Sequence, residues 1–351
     1  MQLDEFAPVQ ASTRPLGRRT WFIRATSIAA VAILLMASSA SAARSQQGGG
    51  QIQIIKGAQY QFSEPIQPYG VGGRIWLVNA GSGLTILNAS DGSLFKLFEG
   101  SPDNLPLSPI LAVSGPDVWA IGGNPGPKVD LVELSGSSGR ILRILHVANS
   151  GLSAANSMQV VGNRLWFASS DPQALEEINL STGTITRSLR ADVKNPLCLQ
   201  VTNGHVWVVQ GNLTLTEYSA STGAVLSSKP LPPKKGDVAP FDMTVVGTNL
   251  WIPMGLQVIV WSTTADKVVA RFTASALGLK YSVAIAGNSS HVWVTNRDGN
   301  SVTEIDPVAL QRQAVIKGAV YGFSAPYGDL VYAGRVWVAN LRDSVTAFPA
   351  T

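Results

Sequence analysis

The chain has 351 residues, 45% of them hydrophobic and 14% charged, with 34 Gly and 20 Pro; this composition can bury a large core and favours strands and turns over helices. Of its formal charge of +4, three units sit at the start, because residues 1–50 hold five Arg against Asp4 and Glu5 and leave 21 basic and 20 acidic residues beyond. The near-neutral body has no basic run longer than Lys234-Lys235, which argues against nucleic acid as a partner, since phosphate neutralisation needs a stripe of Lys and Arg.

Residues 1–43 read as a targeting segment. Arg14, Arg18, Arg19 and Arg24 precede an uncharged stretch, residues 25–43, that ends in small residues including Ala40-Ser41-Ala42, the layout of an export signal. Those 19 uncharged residues could instead serve as an uncleaved anchor, but the strongly apolar part runs only from Ile28 to Met36 and favours cleavage. Residues 44–50 form a linker. The expected location is therefore exported, whether extracellular, periplasmic or cell-surface, with membrane contact only through residues 25–43.

Beyond residue 50 the chain is repetitive. Seven tryptophans share one setting, at Trp76, Trp119, Trp166, Trp207, Trp251, Trp293 and Trp337, and their spacings are 43, 47, 41, 44, 42 and 44. A period of about 40–45 residues with several short strands per unit is the length of a propeller blade. Residues 281–317 illustrate the unit: YSVAIAG, HVWVTN, SVTEID and RQAVIKG alternate apolar and polar residues and are separated by Gly, Asn and Asp turns. These are strands a to d, with a innermost. One large aromatic per unit reads as packing between adjacent sheets; Trp261 lies out of register.

The phrase IKGAQYQFSEP at residues 55–65 returns as IKGAVYGFSAP at residues 316–326. The second copy ends strand d of the sixth unit, whereas the first has no unit before it. The seventh unit supplies strand a near Asp329–Tyr332, strand b at Arg335–Asn340 and strand c at Ser344–Phe348, and no strand d. Residues 51–56 (QIQIIK) are therefore expected to supply it and to close the ring, removing an unpaired edge. The fold expected is all-β: a monomeric seven-bladed β-propeller over residues 51–351, with four-stranded antiparallel blades.

The units VWVTNRDGNSVTEIDP and INLSTGTI resemble the YVTN-type β-propeller repeat and, more distantly, virginiamycin B lyase-like and NHL propellers. The resemblance spans about residues 51–351 and implies an envelope or surface location with a binding role. Several units lack the Thr-Gly turn, and the second carries the insertion NPGPK.

In such a ring the rim formed by the d–a and b–c loops receives the residues around the start of strand a, here Tyr69, Asn156, Asp242, Tyr281, Tyr327 and Asp329, and those ending strand b, here Asn79, Asn124, Asn296 and Asn340. They are the candidate ligand-binding residues. Asp242 and Asp329 are the carboxylates that could hold a divalent metal, because hard cations take oxygen ligands; no other cofactor is expected. A lyase would need His and Glu as acid and base near a metal. His205 and His291 both stand two residues before a blade Trp, facing the opposite rim, and His146 lies in an outer strand, so no catalytic residue is assigned. Cys198, the single cysteine, rules out an intramolecular disulfide and reads as a small buried hydrophobe. Asn88, Asn179, Asn212 and Asn288 fit the N-glycosylation pattern. The expected function is non-catalytic binding of a protein or cell-envelope ligand; the alternatives are a metal-assisted lyase or lactonase-like hydrolase in the channel and a structural envelope protein.

Overall fold

Alternating strands and tight turns assemble as twenty-eight strands in a computed structural model, which describes residues 51–80, 83–98, 110–122, 128–148 and 155–350. The targeting segment, the linker and Asn124 lie outside the described residues. The first strand, β1 (Gln53–Lys56), precedes the first complete blade, β2 (Pro65–Val71), β3 (Arg74–Asn79), β4 (Gly83–Asn88) and β5 (Leu94–Phe98). The second blade is β6 (Leu111–Ser114), β7 (Asp117–Gly122), β8 (Lys128–Ser135) and β9 (Ile141–Ala148), and the third is β10 (Ala155–Val161), β11 (Arg164–Ser170), β12 (Gln173–Asn179) and β13 (Thr184–Leu189). The fourth holds β14 (Pro196–Thr202), β15 (His205–Gln210), β16 (Thr214–Ser219) and β17 (Val225–Pro230); the fifth, β18 (Thr244–Val246), β19 (Asn249–Pro253), β20 (Gln257–Ser262) and β21 (Lys267–Thr273). The sixth holds β22 (Ser282–Gly287), β23 (Val292–Asn296), β24 (Ser301–Asp306) and β25 (Gln311–Lys317), and the seventh β26 (Pro326–Tyr332), β27 (Arg335–Asn340) and β28 (Ser344–Pro349).

Every pairing within a blade is antiparallel, and the seventh sheet has the order β1-β28-β27-β26. The N-terminal strand completes the last blade as expected, with Gln53 opposite Ala347 and Lys56 opposite Ser344. The seam is tied further. Arg335 Nη2 donates to the Gln51 carbonyl at 2.6 Å, and the Glu64 N–H donates to Asp343 Oδ1 at 3.0 Å. The inner strands of the seventh and first blades approach so closely that a Cβ on Gly328 would lie 2.0 Å from the Ile66 carbonyl oxygen, a spacing only glycine tolerates.

Neighbouring blades pack face to face, and each of the seven interfaces is one apolar core containing one of the repeated tryptophans. Trp76 packs with Leu111, Val118 and Leu134 of the second blade, Trp119 with Met158 and Phe167 of the third, and Trp337 with Ile75 and Leu77 of the first, joined there by Ile55. All seven are at most 2% exposed, and truncating such a residue to Ala costs about 3–5 kcal/mol. Trp261, on β20, joins Trp207 in the core between the fourth and fifth blades. Strand a of the seventh blade begins three residues earlier than expected, at Pro326, because a bulge between Pro326 and Gly328 extends the pairing; bulges at the same place open strand a of the first, third, fourth and sixth blades.

The c–d hairpins explain the Thr-Gly turns and their absence. In the first four blades the turn ends in a left-handed glycine, Gly92, Gly139, Gly183 or Gly223, and the fifth and sixth place Asp266 and Leu310 there. Each of these six hairpins continues into a bulge between strands c and d, as expected of a turn with a left-handed final residue. The β1–β28 pairing has no hairpin and no bulge. The repeated phrase has a matching structural reason: after Lys56 and Lys317 the chain crosses from an outer strand to the next inner one, and Tyr60 stacks on Phe62 at 5.2 Å as Tyr321 does on Phe323 at 5.4 Å.

Deleting residues 51–57 removes four ladder positions and buried Ile55 and is expected to cost at least about 3 kcal/mol; a melting temperature equal to the parent's would show that the strand does not close the ring.

Candidate functional site

The inner strands of successive blades touch one another around the ring, from β2 to β6 and on to β26, which returns to β2. They enclose a central channel of about 750 Å³ lined from all seven blades, among them by Tyr69, Ala112, Met158, Gln200, Asp242, Ile285 and Asp329. Of the residues expected at the ligand rim, Tyr69, Asn156, Asp242, Tyr327 and Asp329 line this channel.

Asn79, Asn296 and Asn340 do not. They are at most 1% exposed and form a buried staple at the end of strand b. Asn79 Nδ2 donates to Thr85 Oγ1 at 3.0 Å, and that hydroxyl donates to the Tyr60 carbonyl at 2.9 Å. Asn340, Thr346 and the Tyr321 carbonyl repeat the chain at 3.1 and 2.8 Å, and Asn296, Thr303 and the Leu277 carbonyl at 3.0 and 3.1 Å. The carboxamide thus fastens the d–a connection to the b–c hairpin, which satisfies polar groups that would otherwise be buried alone. A Gln does the same in the fourth blade, where Gln210 Nε2 donates to Thr216 Oγ1 at 2.6 Å. The signal was in the sequence: Asn or Gln followed six or seven residues later by Thr. Tyr281 also stays outside the channel lining; it takes φ 56° and stacks under Arg297, whose guanidinium carbon lies 4.1 Å from the ring centre.

Most polar residues of the channel wall tie one blade to the next. Asn156 Nδ2 donates to the Pro196 carbonyl at 2.7 Å, Ser157 Oγ accepts the Leu199 N–H at 3.2 Å, and Gln200 Nε2 donates to the Met243 carbonyl at 2.9 Å. Asp242 belongs to this pattern. Its Oδ1 accepts the Met243 N–H at 2.8 Å and its Oδ2 reaches the sixth blade to accept the Ile285 N–H at 3.0 Å.

Asp329 also reaches the neighbouring blade, but with one oxygen only. The residue is 3% exposed, Thr295 Oγ1 donates to its Oδ2 at 2.7 Å, and its Oδ1 has no hydrogen-bond partner. Ile285 and Thr295 lie on the paired strands β22 and β23, where Thr295 is opposite Ala284, so the two carboxylates grip the same part of the sixth blade from its two sides. Burial pushes the Asp329 carboxyl well above its ordinary range and the nearby Asp242 charge pushes it further; burial also raises Asp242, against the pull of its two N–H donors. Tyr69 and Cys198 feel the same field, since burial and then Asp242 raise the phenol and the thiol. Cys198 is a 3% exposed small hydrophobe as expected, but it also borders the channel, a convergence from distant blades that its local sequence does not reveal.

The three histidines lie off the channel lining, each against a carboxylate. His205 Nδ1 is 2.8 Å from Glu217 Oε1, His291 Nε2 is 3.7 Å from Glu304 Oε1, and His146 Nδ1 is 2.6 Å from Asp130 Oδ1. Among the described residues no group of three or more His, Cys, Asp and Glu side chains could hold a metal ion.

Fold and site together define a seven-bladed β-propeller with a closed ring and a channel of mixed polar and apolar lining that includes two acids. No protein-family model matches the chain, and no curated protein does. Among solved structures it is similar to a streptogramin B lyase, at 19% identity and a TM-score of 0.66 over 85% of this chain and 97% of that one. It is also similar to virginiamycin B lyase from Staphylococcus aureus, at 16% identity and a TM-score of 0.66 over 86% and 100% of the two chains. Kuenenia stuttgartiensis hydrazine synthase matches at 12% identity and a TM-score of 0.66 over 83% and 96%. At these identities the likeness is one of fold.

Two measurements separate staple from site. Asn340→Ala is expected to lower stability by about 1–3 kcal/mol in chemical denaturation. Asp329→Asn is expected to do the reverse. A carboxyl raised in the folded state keeps its proton between the ordinary value of 3.8 and its folded value, so its contribution is most favourable at low pH and is lost as pH rises through that window. The amide, which can still accept from Thr295, should therefore raise the melting temperature at pH 7–8 by about 2 °C or more, with the gain shrinking toward pH 4; a gain that does not vary with pH would contradict the burial account.

Proposed function

We propose that the protein is an exported, non-catalytic binding propeller whose ligand, a protein or a cell-envelope component, docks at the rim and channel mouth. The observation that carries this reading is the channel itself: every blade contributes to it, yet its polar wall is spent mainly on inter-blade hydrogen bonds rather than on an assembled acid, base and nucleophile. Phe241 and Tyr327 supply aromatic surface to the lining, and Phe241 is 54% exposed, as befits an anchor for a partner. The Arg-rich leader and the resemblance of the repeats to the YVTN type support an envelope location.

The competing reading is a metal-assisted lyase or hydrolase in the channel, supported by the fold shared with the two lyases and by Asp329, because buried carboxyls with raised pKa values concentrate at catalytic sites. Elemental analysis of the purified protein with and without chelator addresses it, with Asp242→Ala and Asp329→Ala as controls. The binding reading expects no stoichiometric divalent ion dependent on these residues. It further expects an envelope extract component to be retained by the parent protein, released unaltered, and lost at least about tenfold from Phe241→Ala, Tyr327→Ala without loss of melting temperature. Conversion of the retained component, or retention indifferent to both substitutions, would overturn the proposal.

A further inference from the structure

The channel wall contains one polar atom whose hydrogen-bonding capacity the fold does not use. Asp329 Oδ1 is buried, lacks a partner and belongs to a residue that borders the cavity. Leaving a carboxylate oxygen in this condition is costly, and the second carboxylate nearby, Asp242, adds like charge rather than relief. No Lys, Arg or His is among the described residues lining the channel. Arg297, whose charge reaches Tyr327, is already stacked on Tyr281 and paired with Asp298 at 3.0 Å. The site thus has two carboxylates and no resident countercharge.

What would complete it follows from the surrounding chemistry. The lining also holds apolar and aromatic residues, among them Tyr69, Tyr327, Leu330 and Ile285, and electron-rich ring faces favour cations. A compact organic cation brings hydrogen-bond donors for Asp329 Oδ1, a positive charge for both acids and an apolar body for the walls. A hard divalent ion would leave most of its oxygen coordination unfilled here. We propose that the channel, beside the sixth blade, takes the ammonium group of a small amine ligand, which meets Asp329 Oδ1 and lies in the field of Asp242. This rests on the binding reading above and names the chemistry that the channel recognises.

The test uses the full protein and benzylamine as probe, with benzyl alcohol and benzoate as neutral and anionic matches, followed by thermal shift and by NMR titration. Benzylamine is expected to raise the melting temperature and to bind at least about tenfold more tightly than either match; Asp329→Asn, which keeps the Thr295 hydrogen bond, is expected to abolish that preference. Should the variant fold poorly, the ranking of the three probes on the parent protein decides by itself. Equal binding of amine and alcohol, undiminished amine binding by Asp329→Asn, or displacement of benzylamine by magnesium or calcium ions at equimolar concentration would each overturn the assignment. These outcomes are separable from failure of the rim reading, which is judged on retention of the envelope component by the Phe241 and Tyr327 variants: loss there with no amine preference would leave a binding propeller of different specificity.

Discussion

Everything in this molecule depends on packing between blades. A four-stranded sheet of this size has two apolar faces and cannot bury either alone, so each blade is stable only between two neighbours. One tryptophan per blade fills each of the seven cores, and the seventh core, between the last and first blades, can form only if the ends of the chain meet. The closing strand is therefore the element on which the last interface relies: Ile55 enters the seventh core from β1 while its backbone completes the sheet beside β28. A ring closed in this way gives the last blade its outer strand and fixes the positions of seven inner strands around one axis.

That closure makes the channel a structural consequence before it is a functional one. Seven inner strands brought together bury backbone and side-chain polar groups against one another, and most of the wall residues answer this need by bonding to the next blade. Asp242 has the same role, with both oxygens on backbone N–H groups. A polar channel lining is thus weak testimony to function by itself. The informative residue is the one whose chemistry exceeds what the ring needs, and Asp329 is that residue because one of its oxygens serves no bond.

Much of the architecture was legible because it is written in period: the tryptophan spacing, the turn residues and the repeated phrase at residues 55–65 and 316–326 each repeat once per structural unit and need no knowledge of long-range geometry. The bounds of strand a were less legible, since the bulge after Pro326 adds residues that alternation alone does not count. Tyr69, Asn156, Asp242, Tyr327 and Asp329 do face the channel, because position at the start of an inner strand determines which rim a residue approaches. Asn79, Asn296 and Asn340 stand at the matching ends of strand b but turn into the sheet interface, where Thr85, Thr303 and Thr346 hold them. Place in the chain specified the rim; the direction of the side chain depended on a partner in the adjoining strand.

The same comparison bears on why position 329 holds an acid. Thr295 needs only an acceptor, and an Asn at this position would supply one in the same volume without the expense of a desolvated carboxylate beside Asp242. Folding alone would therefore be served better by the amide. A buried group that lowers stability where a near-isostere would not is the mark of a residue held for what it does rather than for what it supports. In a channel with no resident cation among its described lining residues, that task is to meet positive charge brought from outside, and the propeller's rigidity then matters: seven locked interfaces keep the two acids fixed on either side of the sixth blade, so a ligand finds them already in place.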